Sequence, residues 1–329
     1  MKYILLSALF VGSAFGATNE ELERKINVLA DEITQLKASQ MKTSTGQQAY
    51  GLGQAASKVY FVPQGISIGG YGEITYTNKS HEDEDGNATN REPQAEALRN
   101  VIYMGYKYSD KWILNTEIEI EHVDEIYTEF LYVDYLASDA LNYRFGLNLL
   151  PMGLTNELHE PIYFNSVNRP EVEKYLIPTT WREIGVGIFG SVGKTSYKAF
   201  LFNGANADSI STGISNGIRK GRKKGGSGDD SKDRTNASTG ALVIRADYAF
   251  DTATSIGTSV YKGKASSANG GNNFIDMEIS IAEIHGIYKE NGFGTKFLAT
   301  RVSFDNSKKW NEQTLSLIHI SEPTRRTPI

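Results

Sequence analysis

The stretch WILNTEIEIEH (112–122) alternates between two kinds of residue. Trp112, Leu114, Ile118 and Ile120 fall on one face, and Asn115, Glu117, Glu119 and Glu121 on the other. A period of two is the mark of a strand whose sheet has unlike faces. Two more such runs follow, YTEFLYVDYLA (127–137) and LNYRFGLNLL (141–150). After a polar, proline-punctuated loop (151–180) the chain re-enters a strand at WREIGVGIFG (181–190). When strands of about ten residues all behave this way, one face can meet lipid and the other a water-filled lumen.

Upstream, alternating runs lie at 66–77 and 98–109. Downstream they lie at 194–203, 240–250, 254–263, 274–288 and 293–304. The connections keep step with strand parity. Those at 110–111, 138–140, 190–193, 251–253 and 289–292 are short; those at 78–97, 151–180, 204–239 and 264–273 are longer, with 122–126 the exception. Outer-membrane barrels pair short periplasmic turns with longer extracellular loops, whereas a soluble sandwich has no cause to. The fold class expected is all-β, an antiparallel transmembrane β-barrel over 66–304, incomplete, with about eleven strands present. The glycines Gly69, Gly70 and Gly72 suit a strongly coiled first strand.

Composition agrees. Hydrophobic residues make up 40% of the 329, mean hydropathy is −0.37, and no later segment nears the ~18 apolar residues of a spanning helix. The net charge of −5 argues against nucleic acid as a partner. Absence of cysteine removes disulfide and thiolate chemistry.

Residues 1–16 have the basic start, apolar core and Ala14-Phe15-Gly16 end of a secretory signal. Over 18–38, Leu22, Ile26, Leu29, Ile33 and Leu36 form a heptad seam, read as a periplasmic coiled-coil helix that self-associates or packs on its own domain. Ile at a and Leu at d favour two strands. Residues 39–65 read as a linker. The tail SLIHISEPTRRTPI (316–329) breaks the alternation and resembles translated sequencing adapter, so it is expected to be non-native and the barrel truncated.

The lining of such a lumen would be Glu73, Glu117, Glu119, Glu121, Arg144, Glu183, Lys198, Arg245 and Asp247, with Asn142, Asn148, Asp276 and Glu278 beside them. Strand 112–122 sets three carboxylates in a row, about 7 Å apart. Folded inward as a constriction, loop 151–180 would bring His159, Glu160, Arg169, Glu171, Glu173 and Lys174, with Arg182 next to it. Pores select by width and by rings of charge. The run RKGRKK (219–224) reads as a solvated loop or as a patch for anions or lipopolysaccharide. No H-x-x-x-H, G-x-S-x-G or P-loop occurs, and His285 has only Ser280 and Ser303 as remote partners. The acidic group Asp83, Glu84 and Asp85 lacks EF-hand spacing. No enzyme, cofactor or metal is expected.

ASKVYFVPQGISIGGYGE (56–73), TEIEIEH (116–122), YRFGLNLLPMGLTNELHEP (143–161) and NRPEVEKYLIPTTWREIGVGIFG (168–190) carry a family likeness. Over about Ala49–Phe304 the chain resembles outer-membrane porins of the phosphate-selective porin O/P type. The resemblance implies a barrel of about sixteen or more strands, commonly trimeric, in the outer membrane of a Gram-negative bacterium. It implies passive diffusion of small hydrophilic solutes or ions. The acidic strand speaks against phosphate selectivity. The competing reading is a structural tether or trimeric adhesin barrel without specific transport.

Overall fold

The computed structural model describes residues 20–21, 23–30, 47–89, 91–207, 210, 217–226, 237–265 and 277–308. Eleven strands make one antiparallel sheet: β1 (Gly65–Thr77), β2 (Gln94–Lys107), β3 (Trp112–Glu121), β4 (Glu125–Leu136), β5 (Asn142–Leu149), β6 (Arg182–Val192), β7 (Thr195–Asn203), β8 (Gly240–Ala249), β9 (Thr254–Ala265), β10 (Met277–Glu290) and β11 (Phe293–Asp305). Strand order is sequence order, and among the described residues β1 and β11 are edges, so the sheet is not closed. Every neighbouring pair follows in sequence through its own connection, the up-and-down pattern of barrels.

The sheet curls around loop 151–181. That loop reaches β2 through Tyr103, which donates to Glu160, and β8 through Arg245, which donates to the Gly153 carbonyl. It also reaches β11, where Lys296 donates to the Tyr163 carbonyl.

The polarity of the two faces is inverted relative to a soluble protein. The concave face buries Asn115, Glu117, Glu119, Asp134, Arg144, Glu183 and His285. The convex face exposes large apolar side chains. Phe145, Val186, Leu201 and Leu242 are successive register partners across β5–β8, exposed by 65%, 50%, 62% and 42%. At the short-turn end aromatics gather, all exposed but the half-buried Tyr135. Trp112, Tyr135 and Tyr143 form one register row with ring centroids 4.8 and 6.2 Å apart, and Tyr106 with Tyr108 and Tyr248 with Phe250 flank it.

Two bulges adjust the pattern. Register slips between Glu73 and Ile74 against β2, and between Glu117 and Ile118 against β4. At the second, Glu129 and Phe130 are both buried although adjacent in sequence, because the extra residue resets parity.

The expected linker 39–65 holds a helix instead. α1 (Gln54–Phe61) buries Ala56, Ser57 and Val59 against β1–β3 on the concave face. Val62 is extended before Pro63 and ends it, since a residue preceding proline is pushed out of the helical region. Burial of Val59 and Leu52 contributes on the order of 2 kcal/mol each. Linker composition hid this helix: its apolar face is only two turns long, too short for a periodic signal.

Residues 20–21 and 23–30 are helical, with Ile26 and Leu29 exposed; Leu22, Ile33 and Leu36 of the expected seam lie outside the described residues. So do the signal at 1–16 and the tail at 316–329.

A second apolar core fills the long-loop end of β6–β10. Leu150, Met152, Ile177 and Trp181 from the loop pack on Phe200, Phe202, Val243, Tyr261, Met277, Ile279 and Ile281. Glu278 is therefore corrected. It turns to the convex side and pairs with Lys262 at 3.0 Å, while Met277 and Ile279 face inward. In this upper half of β10 the folded loops, not water, cover the concave face, so apolar residues point in. Asp276 lies outside the described residues.

Candidate functional site: the charged concave face

Charge on the concave face is organised in pairs that cross strands. At the β1–β3 end, Arg99 reaches Glu73 at 2.8 Å, Glu119 at 2.8 Å and Glu121 at 3.6 Å. One guanidinium thus answers three of the carboxylates that strand alternation lines up. The fourth, Glu117, lies 2.9 Å from His159 Nε2 of the loop, and both are buried. Burial alone would lower the His159 pKa, but the Glu117 carboxylate and their shared bond raise it. Burial raises the pKa of Glu160, against the pull of His159.

In the centre, Arg144 clasps Asp134 with two bonds of 2.7 and 2.9 Å and lies over the Tyr132 ring. Arg182 donates to Glu129 at 2.6 Å. Lys198 donates to Glu157 of the loop at 2.5 Å. On β8–β10, Arg245 holds Asp247 through two bonds, and His285 sits between Asp247 and Glu283, each 2.9 Å away. Ser259 donates to Glu283 at 2.5 Å.

All nine lining residues expected from alternation therefore stand on the concave face, as do Asn142 and Asn148. Of the constriction set, His159 and Glu160 are buried inside, and Arg169 donates to the His159 carbonyl at 3.0 Å and to Thr180. Arg182 faces inward from the first residue of β6. Glu171 is corrected: its carboxylate is 70% exposed and pairs with Lys174 at 3.7 Å. Glu173 is buried but serves the loop itself, accepting from the Leu154 and Thr155 amides. Sequence reading missed Glu129, Asp134, Glu157 and Glu283. The bulge conceals the parity of the first, and Glu157 acts only because the loop folds in.

Basic groups crowd around Glu129 at the long-loop end, where Arg169, Arg182, Arg219, Arg222 and Lys224 meet. Burial and then neighbouring cations bring Arg169 and Arg222 each down to about 10. The run 219–224 is thus partly folded into the structure: Arg222 donates to the Thr179 carbonyl. At the same end, Glu121, His122 and Glu125 bring ligand-type atoms within 4.8 Å of one another, a grouping the sequence spacing did not suggest.

The cavities of the concave face include two at opposite ends of the strands. One of about 490 Å³, at the short-turn end, is lined by Tyr50, Glu157, Lys198, Arg245 and Asp247. The other, about 810 Å³, at the long-loop end, is lined by Glu73, Arg99, Glu121, Arg169, Lys174 and Arg219.

No family model matches the chain. Over 166 residues it is 43% identical to an uncharacterized protein of Aquifex aeolicus (strain VF5), a match covering 48% of this chain and 36% of that protein. The chain therefore spans little more than a third of the curated relative it matches. Among solved structures it is similar to a loop L8 deletion mutant of OmpT, an outer membrane protein of Vibrio cholerae. That match has a TM-score of 0.32 and 10% identity, and covers 74% of this chain and 84% of the other. It is also similar to outer-membrane expressed OmpT of the same organism, at a TM-score of 0.30 and 9% identity, over 73% and 78%. Neither likeness carries a function to this chain.

The lack of catalytic motifs points, in sequence, to a non-enzymatic chain. That exclusion is not kept, because His285 is held between two carboxylates, 2.9 Å from each, with Ser259 donating to one of them. Asp247, Ser259, Glu283 and His285 come from three strands, and a scan of local spacing does not see such a grouping.

Proposed function

We propose that this chain spans the outer membrane of a Gram-negative bacterium as part of a β-barrel, and that its concave face lines a passive path for small hydrophilic solutes or ions. Loop 151–181 narrows that path. The observation that carries the reading is the inverted sheet: charged pairs buried on the concave side, apolar side chains exposed on the convex side, and aromatics gathered at the short-turn end. A lipid-facing barrel has this outer band, with aromatic girdles at the interface. The leader at 1–16 would carry the chain out of the cytoplasm. The helix at 18–38 would stand in the periplasm, its seam joining copies, with a trimer the form that the porin resemblance favours.

Ion choice follows from the two sides of the curl. Glu73, Glu117, Glu119 and Glu121 on β1–β3 favour cations, while Arg144, Lys198 and Arg245 on β5–β8 face them. The basic group around Arg169 and Arg222 would draw anions at the long-loop end. Planar-bilayer recordings of the full-length protein test the reading. Stable ohmic channels with a measurable reversal potential are expected; a folded, heat-modifiable barrel that never conducts would refute it. One observation favours the second reading, a structural barrel without transport: α1 and the loop fill the middle of the concave face.

A further inference from the structure

We infer that residues 47–61 form a plug supplied by the chain itself, closing the path between the two cavities until it is displaced. This inference rests on the pore reading above and adds its regulation.

The segment crosses the concave face from β7 to β1. At its start, Lys198 of β7 donates to the Tyr50 carbonyl at 2.6 Å, and the Tyr50 ring meets Phe189 of β6 edge-on at 4.8 Å. In its middle, Asn115 of β3 donates to the Ala56 carbonyl at 2.9 Å. At its end, Tyr60 donates to Asp134 of β4 at 2.7 Å, and Lys58 to the Ile68 carbonyl of β1 at 2.8 Å. The inward loop holds the other side: the Gln54 amide donates to the Tyr163 hydroxyl at 3.1 Å, and the Glu160 carboxylate lies against Gly53.

The wall is shaped for the helix. A Cβ on Gly105 would come 2.5 Å from Val59 Cγ2, and one on Gly69 would come 3.1 Å from the Ala55 carbonyl oxygen. These positions lack side chains where α1 lies, so the helix approaches the strands closely. The cavity of about 490 Å³ ends on Tyr50, Gly51 and Phe61 of this segment. The cavity of about 810 Å³ opens at the opposite end of the strands. α1 and the loop stand between them.

The plug is held by apolar contact and side-chain hydrogen bonds, Tyr60 alone meeting Asp134, Tyr132 and Arg144, and among the described residues it pairs with no strand. It can therefore leave without breaking the sheet, as a gate must.

The chain has no cysteine, so Val59→Cys with Gly105→Cys tests the seat. A Cβ on Gly105 lies 2.7 Å from Val59 Cβ, near enough to be bridged after a small shift. The full-length double variant is oxidised, its cross-link read by gel mobility, and its conductance recorded in planar bilayers before and after reductant. Lys58→Met with Tyr60→Phe, which loosens the seat without adding bulk, is recorded alongside. The inference expects a cross-link in the folded protein, silence when oxidised, a severalfold reversible rise on reduction, and higher conductance in the loosened variant. If no cross-link forms in the folded barrel, the inference is overturned. If the oxidised and reduced forms conduct equally, it is overturned while the pore reading stands. If the cross-link forms and every form stays silent, the pore reading fails and the plug's gating role with it.

Discussion

Arg144 and Asp134 give the sharpest energetic test. The guanidinium and carboxylate are joined by two bonds of 2.7 and 2.9 Å, and the side chains are only 6% and 0% exposed. Tyr60 adds its hydroxyl to the same carboxylate, and the cation lies 3.8 Å from the Tyr132 ring centre. Solvent screening is therefore small. Arg144→Met keeps the volume but leaves Asp134 buried with one hydroxyl donor, and should cost about 3–5 kcal/mol. Asp134→Asn strands the cation instead and should cost a similar amount. The double variant buries neither charge, so its loss should fall short of the summed single losses by at least about 2 kcal/mol. Urea unfolding in phospholipid vesicles, followed by tryptophan fluorescence, reads these losses as midpoint shifts at constant slope. A loss under about 1 kcal/mol for Arg144→Met, or strict additivity, would refute the coupling.

Four further outcomes are expected. His159 has a raised pKa in the fold because Glu117 outweighs its burial, so its contribution is whole below the unfolded value of about 6.5 and fades as pH rises through the raised value; urea midpoints should fall over that window, and His159→Gln should flatten the fall. Gly146 has φ of +141°, and a Cβ there would meet the Leu131 carbonyl oxygen at 2.3 Å; Gly146→Ala should cost at least about 1–3 kcal/mol in the same assay. Ile244→Arg places a charge on the convex face and should destabilise the vesicle-inserted protein by about 2–4 kcal/mol, an effect absent if that face meets water. Glu119→Gln with Glu121→Gln leaves Arg99 facing Glu73 alone of its three partners; the reversal potential should move away from cation preference, and an unchanged value would deny these groups a place on the ion path.

The sheet was legible because alternation is local: each of the eleven runs marked by periodicity is a strand, within a few residues at its ends. Faces were legible wherever one environment covers the whole strand, as with Glu117, Glu119 and Glu121 on β3. They were not legible where the environment changes along the strand. Glu278 turned out because the loop core claims Met277 and Ile279, and Glu129 was hidden by a bulge that only the pairing of β3 with β4 reveals. The helix α1 was missed for a different reason. It is held by glycine-lined walls and by Asn115 and Asp134, groups remote in sequence, rather than by its own pattern. The same holds for His285, whose two carboxylate neighbours include one 38 residues away.

The central claim is that the convex face lies in lipid. Single cysteines replacing Phe145, Val186, Leu201 and Leu242, one register row in a chain without native cysteine, would each carry a polarity-sensitive fluorophore in the vesicle-inserted protein. The account predicts blue-shifted emission, quenched by lipid-bound quenchers and not by aqueous iodide. Water-like emission quenched by iodide along this row would contradict it.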